Sequence, residues 1–373
     1  MSGPIDDLGT ATLQAWGLVG IGEVSAGDDL AGHLLDGIAA TDVALEDGDV
    51  VAVSSKIVSK ALGLRVRAAT RDAAVEAETV RVVAERFSPG GTRRIVRSRS
   101  GPVLAAAGVD TSNVAQGEVL VLPPDPDGAA RDLRRALATL TGRRRVGIVV
   151  TDTMGRPWRD GQVDAALGVA GVQVTDDLRG RSDRYGNPLE VTVRAVVDEI
   201  AALADLVKGK LADRPAALVR GLDAFVTDDD GPGAAALLRE LDADWFRFGH
   251  LEAVRAAVGV PPGTDAVPPA PVVPGSVQER LRRAVEVAAA SPFWRLVADV
   301  TVTADRVVIA MPADGAASAL LALGAFAQRV AALAVAEGLD VVPEPLQVPG
   351  QGTTGAITIR AVSQSAAAPP LRC

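Results

Sequence analysis

Cysteine is almost missing from this chain of 373 residues: its one example, Cys373, is the last residue. A lone thiol forms no intrachain disulfide, and a zinc site made of several thiolates is excluded. Histidine is nearly as scarce, and His33 and His250 stand in no triad or metal-ligand spacing. Aromatic residues make up 3% of the sequence, so the core must be built from Ala, Val and Leu. No early basic segment leads into an apolar run, and no apolar stretch reads as long enough to span a bilayer; no membrane is expected and the expected location is cytoplasmic. With a net charge of -9 the chain is not expected to wrap nucleic acid.

Lysine is the most telling shortage. Of 38 basic residues four are lysine: Lys56, Lys60, Lys208 and Lys210. Arginine serves wherever any cation will do, so a retained lysine points to a place that wants a compact ammonium, such as close phosphate contact. The only asparagines, Asn113 and Asn187, and the only tyrosine, Tyr185, also precede residue 211. Uncommon side chains are thus confined to the first two-thirds of the chain.

What is present is organised around Val149 to Gln162. An apolar, β-branched run (Val146, Ile148, Val149, Val150) reads as a buried strand that stops at Asp152. Asp152 and Thr153 set a carboxylate and a hydroxyl side by side at that expected strand end. Gly155 and Pro157 are expected to shape a loop carrying Arg156 and Arg159. Hard oxygen ligands beside guanidinium groups suit a divalent metal and phosphates; the plainer reading is a capped loop in which the arginines pair with Asp152 and Asp160.

Several other stretches repeat the theme. Asp28-Asp29 leads into a helix through Leu30, Leu34, Leu35 and Ile38. Asp47-Gly48-Asp49 reads as a turn, and Val50 to Val53 as a strand delivering Ser54, Ser55 and Lys56. Ser55 and Lys60 could cradle a phosphate, or simply belong to a solvated turn. Residues 70–87 read as a helix with Val75, Val80, Val83 and Phe87 on one side. Asp110 ends a second apolar run; it could cap a helix or converge with Asp152 on metal. Pro123 to Asp127 read as a rigid turn followed by a helix to about Leu140, and a further helix is expected over 197–211, ending in Lys208-Gly209-Lys210, where lysines can merely answer the helix dipole.

Prolines crowd residues 259–277 and predict a semi-rigid linker between a domain 1–258 and a small α+β domain 278–373. In the latter, helices over 278–291 and 316–337 and strands at 297–302, 307–309 and 357–359 are expected. Gly350 to Gly355 fits a dinucleotide-binding pattern letter by letter but has no strand–helix unit around it, and reads as a loop.

Taken in order, the blocks Gly27-Asp28-Asp29, Asp47-Gly48-Asp49, Ser55-Lys56-Ile57-Val58-Ser59-Lys60, Ala107 to Asn113, Thr151 to Gln162 and Asp183-Arg184-Tyr185-Gly186-Asn187 resemble the coenzyme F420-0:L-glutamate ligase family, the F420 gamma-glutamyl ligases. The resemblance covers the first 250 or so residues. It implies an α+β fold forming an intertwined homodimer, in place of the doubly wound sheet that strand-end chemistry alone would suggest. It implies a ligase that joins L-glutamate to F420-0 with GTP and Mg2+ or Mn2+, with K+ as a further ion, through an acyl phosphate. Carried across, the implied nucleotide contacts are Ile21, Gly22, Glu23, Val24, Ser55, Lys60 and Asn113. The implied metal ligands are Asp110, Asp152 and Thr153, and the catalytic groups Lys60, Asp110 and Asp152. Gly22 stands where the family commonly has proline, which loosens that loop. Arg156 and Arg159 are expected to meet a carboxylate or phosphate of the acceptor. Gly324 to Leu339 and the strand near Ile357 resemble the end of a nitroreductase-like, flavin-binding domain. The region is short and lacks a basic flavin-phosphate motif, so no flavin is expected. The alternatives are an amide ligase for another small carboxylic acid and a non-catalytic nucleotide-binding protein.

Overall fold

The computed structural model describes residues 12–67, 70–111, 117–264, 266–292, 298–310, 317–344 and 356–362. Asn113, the Gly350 to Gly355 loop and Cys373 lie outside the described residues. The chain divides into two compact units, Met1–Val80 with Arg97–Ala243, and Arg81–Val96 with Asp244–Cys373.

The first unit is built on a five-stranded sheet in the order Gln14–Gly17, Ala216–Arg220, Val50–Ser54, Gly147–Arg156, Arg159–Ala170. Only the pair Val50–Ser54 with Gly147–Arg156 is parallel; the other three are antiparallel. The period-two geometry of a strand sorts its side chains into two cores. Val51, Val53, Ile148, Val150 and Leu218 pack with Leu34, Ile38 and Leu137 of the helices Leu30–Ala40 and Pro126–Thr141. Val50, Ala52, Val149, Val169, Ala217 and Val219 pack with Val197, Ile200 and Ala204 of the helix Val196–Lys208. Strands apolar on both faces need cover on both, which explains why their sequences read as continuous apolar runs. This is a mixed, largely antiparallel α+β arrangement and not a doubly wound parallel sheet.

Two local expectations are corrected. Asp152 does not end its strand: Gly147–Arg156 continues past it and returns as Arg159–Ala170 after a turn at Pro157-Trp158. The expected helix 70–87 stops at Ala77, and Thr79–Ser88 is a strand. Val83 and Glu85 are buried while Val80 and Phe87 are exposed. The three- and four-residue spacing of Val80, Val83 and Phe87 imitated a helix face in a segment whose β-branched content favours extension.

In the second unit a four-stranded antiparallel sheet runs Asp299–Val302, Arg306–Ala310, Ala356–Val362, Asp340–Pro343. The last of these strands was not anticipated. Helices Val277–Ala290 and Ala317–Ala336 share its core through Leu281, Val287, Leu323, Phe326, Val330, Val307, Ile309 and Ile359. Ser276 and Glu279 close a reciprocal cap on the first helix. In the Pro-rich stretch 259–277, Val260, Val267 and Ala270 are buried, the first two in this same core. Proline forbids helix there without preventing burial of the apolar residues between. The helix Ala317–Ala336 is by length and composition long and apolar enough to cross a membrane, contrary to the expectation from sequence. Its residues Leu323, Phe326, Val330 and Leu333 are nevertheless buried in the core of this unit.

Candidate functional site

The carboxyl end of Val50–Ser54 leads directly into the short helix Ser55–Ala61, whose start is capped by Ser54. Beside it runs the hairpin carrying Asp152 and Thr153, paired in register with Ala165 and Asp164. Between these elements lies an open pocket of about 350 Å³. Ile21, Gly22, Glu23, Val24, Lys60, Asp110, Asp152 and Thr153 all line it. Ser55 is buried and lines a small adjoining cavity with Lys56, Asp110 and Asp152. The described residues expected to hold nucleotide or metal are thus brought to one place.

The pocket also gathers every lysine in the chain: Lys56, Lys60, Lys208 and Lys210. Each has an oxygen partner. Lys56 Nζ stands 2.6 Å from Asp110 Oδ2. Lys60, buried, donates to Glu23 Oε1 at 2.6 Å, and Arg65 reaches the same oxygen at 3.3 Å. The hydrogen bond from Lys60 holds the Glu23 carboxyl below its usual range. Lys208, buried at the end of its helix, donates to Asp164 Oδ2 at 2.5 Å and Thr151 Oγ1 at 2.7 Å. Lys210 Nζ is 3.2 Å from Thr153 Oγ1.

Asp164 organises the hairpin floor. It is buried, and accepts from Thr151 and Thr153 hydroxyls at 2.9 Å each as well as from Lys208. Because the Thr153 hydroxyl spends its proton on Asp164 and takes one hydrogen bond from Lys210, it keeps one acceptor position. Asp152 lies close to two other carboxylates. Burial pushes its carboxyl up to about 6; Asp164 and Asp110 add to the rise, and a backbone hydrogen bond and Lys210 oppose it. Asp110 follows three residues in left-handed conformations, Ala106 (φ 53), Ala107 (φ 53) and Gly108 (φ 72). A Cβ on Gly108 would stand 2.4 Å from Leu122 Cδ1, and the positive φ strains any other residue there, so both favour glycine. Backbone strain of this kind is maintained only where the surroundings fix it, here by the Asp110–Leu120 bridge.

Among the described residues no group of three or more His, Cys, Asp or Glu side chains is placed to hold a metal by itself. The donor chemistry still suits a hard cation completed by ligand oxygens. Two carboxylates and a hydroxyl line the pocket, Asp110 paired with Lys56 and Asp152 disfavoured as an anion by its burial. Arg156 and Arg159 do not line the pocket; they face each other across the exposed hairpin tip. The block around Tyr185 is a closed turn in which Asp183 accepts from Tyr185 N, Asn187 N and Asn187 Nδ2. Open space surrounds Gly22, so a residue with a Cβ would also fit there.

Asp164 and the pair Lys208 and Lys210 are the site residues that sequence reading passed over. Lysine scarcity was the available signal, but the position of Lys208 and Lys210 at a helix end offered a sufficient ordinary explanation.

Comparison with known proteins shows the family. The family model described as F420-0:Gamma-glutamyl ligase matches residues 19–221. This chain belongs to that family. It is an enzyme of the ligase class. Among its relatives, the coenzyme F420:L-glutamate ligase of Archaeoglobus fulgidus is 39% identical over 226 residues, covering 57% of this chain and 88% of that protein. The ligase of the same name from Methanopyrus kandleri is 40% identical over 242 residues, covering 60% and 94%. That from Methanothermobacter thermautotrophicus is 37% identical over 250 residues, covering 62% and 97%. The pocket lining, from Ile21 to Pro215, falls inside the matched family span.

Proposed function

We propose that this ligase joins L-glutamate to coenzyme F420-0 in F420 biosynthesis, using GTP and a divalent cation. The observation that carries the reading is the convergence of all four lysines with Asp110, Asp152 and Thr153 on one pocket. Four ammonium groups around one opening suit a polyphosphate. Asp110, Asp152 and Thr153 would hold Mg2+ or Mn2+; protein sites for Mg2+ commonly supply only one or two carboxylates and leave the rest to phosphate and water. When bound, the cation neutralises charge on phosphate oxygens during transfer.

A carboxylate is a poor acyl donor because its oxygen leaves badly. In the proposed sequence a carboxylate oxygen of F420-0 takes the γ-phosphoryl group of GTP, and GDP leaves. The glutamate amine then attacks the acyl carbon; the C–O bond breaks, phosphate leaves, and the amine nitrogen loses a proton. The chain's part is to bind and orient. Lys60, held by Glu23, presents a fixed ammonium at the pocket wall, while Asp164 fixes the Thr153 hydroxyl and Lys208. The active form is proposed to be a homodimer. Incubating the protein with F420-0, GTP, glutamate and Mg2+ or Mn2+ and weighing the product tests the reading. A mass gain of one or more glutamyl residues, dependent on GTP, is expected; GTP hydrolysis without that gain would overturn it.

A further inference from the structure

Lys56 has no place among the groups that would hold the cation, yet it stands on one of them. Its ammonium lies 2.6 Å from Asp110 Oδ2. The other lysines are engaged differently: Lys60 with Glu23, Lys208 with Asp164 and Thr151, and Lys210 with the neutral Thr153 hydroxyl. Of these ammonium contacts, the Lys56 one falls on a carboxylate assigned to the cation. A divalent cation approaches a carboxylate oxygen to about 2.1 Å in the case of Mg2+. An ammonium held on the same carboxylate would then face it at close range, like charge against like charge. The ion pair and the cation therefore compete for Asp110.

We propose that Lys56 is the resident counter-ion of the cation site: the divalent cation must displace it, and a bound polyphosphate favours the displacement by receiving the ammonium. The proposal rests on the cation- and GTP-dependent reading given above. Lys56 is suited to the exchange. It sits at the start of the helix Ser55–Ala61, its side chain is about a quarter exposed, and it lines the open pocket as well as the small cavity beneath Asp110. Its flexible stem lets the ammonium turn from one anion to another without moving the backbone. Without nucleotide, cation binding carries the cost of an ammonium separated from its carboxylate. With nucleotide, that ammonium has a new anion. The two ligands thus strengthen each other, and linkage requires the effect to be reciprocal.

The test uses full-length protein and Mn2+, with binding read by electron paramagnetic resonance and calorimetry, with and without a non-hydrolysable GTP analogue. Lys56→Met removes the charge, Lys56→Gln is a second neutral variant, and Lys56→Arg keeps the charge. Without nucleotide, both neutral variants are expected to bind Mn2+ about tenfold more tightly than the parent. The analogue should tighten Mn2+ binding in the parent and in Lys56→Arg, and much less in the neutral variants. Parent protein that binds Mn2+ with the analogue present, beside neutral variants no tighter than the parent without it, would overturn the counter-ion role alone. Absence of Mn2+ binding in every protein, with or without analogue, would overturn the cation-dependent reading and this inference with it.

Discussion

Asp152 is a residue whose charged form weakens the resting protein. Burial and two neighbouring carboxylates raise its carboxyl from 3.8 to about 6. Between about pH 4 and 6 the folded protein therefore holds a proton that the unfolded chain has released. Stability falls as pH rises through that window, and above it the cost is about 3 kcal/mol. Asp152→Asn removes the charge at nearly constant shape. In chelator, its melting temperature at pH 8 should exceed that of the parent, the difference fading below pH 4, while ligation is abolished. Calorimetry and product mass check both halves; a variant that turns over normally at ordinary metal concentration would remove Asp152 from the cation site. Lys60 makes the complementary case. It is buried against Glu23 in a chain that elsewhere prefers arginine. Lys60→Arg keeps the charge but must fit a wide, planar fork into that slot, and use of GTP should fall by about tenfold, roughly 1.4 kcal/mol. Unchanged GTP kinetics would return Lys60 to a structural part. At this scale Asp110 and Asp152 could be read as candidates because each ends an apolar run, with Thr153 beside Asp152. Asp164 was not, because nothing local marks it: its partners Thr151 and Lys208 come to it only through the hairpin register and the end of a distant helix.

The hairpin Gly147–Arg156/Arg159–Ala170 carries the site on rigid paired backbone, and its tip is built against local preference. Pro157 and Trp158 make the turn, and Trp158 has φ 62 with 80% of its surface exposed. Positive φ in the second turn position favours glycine, and a bulky residue there costs about 1–2 kcal/mol. Arg156 and Arg159 flank the exposed ring, and substitution tests whether it helps to hold the acceptor. Trp158→Gly is expected to leave the melting temperature unchanged or slightly higher and to raise the KM for F420-0 with little change in that for GTP. Equal KM values for parent and variant would confine Trp158 to the turn. The same hairpin explains why elements were only partly readable. The buried runs Val50 to Val53 and Val146 to Val150, and the capped helix after Asp29, announce themselves by apolar content and a side-chain cap. Past Asp152 the strands leave the apolar core, alternation disappears, and glycine and proline suggest a loop where ladder hydrogen bonds in fact continue. Thr79–Ser88 was lost for a different reason: half of its faces are charged or exposed, so the period-two signal was drowned by an accidental helical spacing.

Domain division is a property of the whole molecule, and it changes what a truncation does. The relatives match this chain over 88% to 97% of their own length but cover only 57% to 63% of it. A cut near Pro261 therefore looks harmless from sequence. The structure places Arg81–Val96 and the helix His250–Ala257 in the same unit as the C-terminal region. Buried groups tie them together there. Glu252 accepts from Glu85 N and Arg86, Glu85 pairs with Arg94, and Arg255 faces Glu337, itself held by Arg283. Val258 and Val260 pack in the core with Leu281 and Leu333. Removing residues after Pro261 takes away Glu337 and Leu281 and leaves Arg255 and Val258 without their cover, so what remains of this unit loses the core that buried it. The pocket residues all belong to the first unit. The truncated chain is thus expected to express poorly and melt lower, while the fraction that stays folded ligates at a rate per molecule near that of the parent. The full-length protein, which has no lysine in residues 278–373, is expected to purify colourless and without bound flavin. Thermal melts, light scattering and turnover per soluble molecule separate the outcomes. A truncate as stable as the parent would show the buried ion pairs to be dispensable. A folded truncate without turnover, or stoichiometric flavin in the intact protein, would show that the C-terminal region takes part in the chemistry.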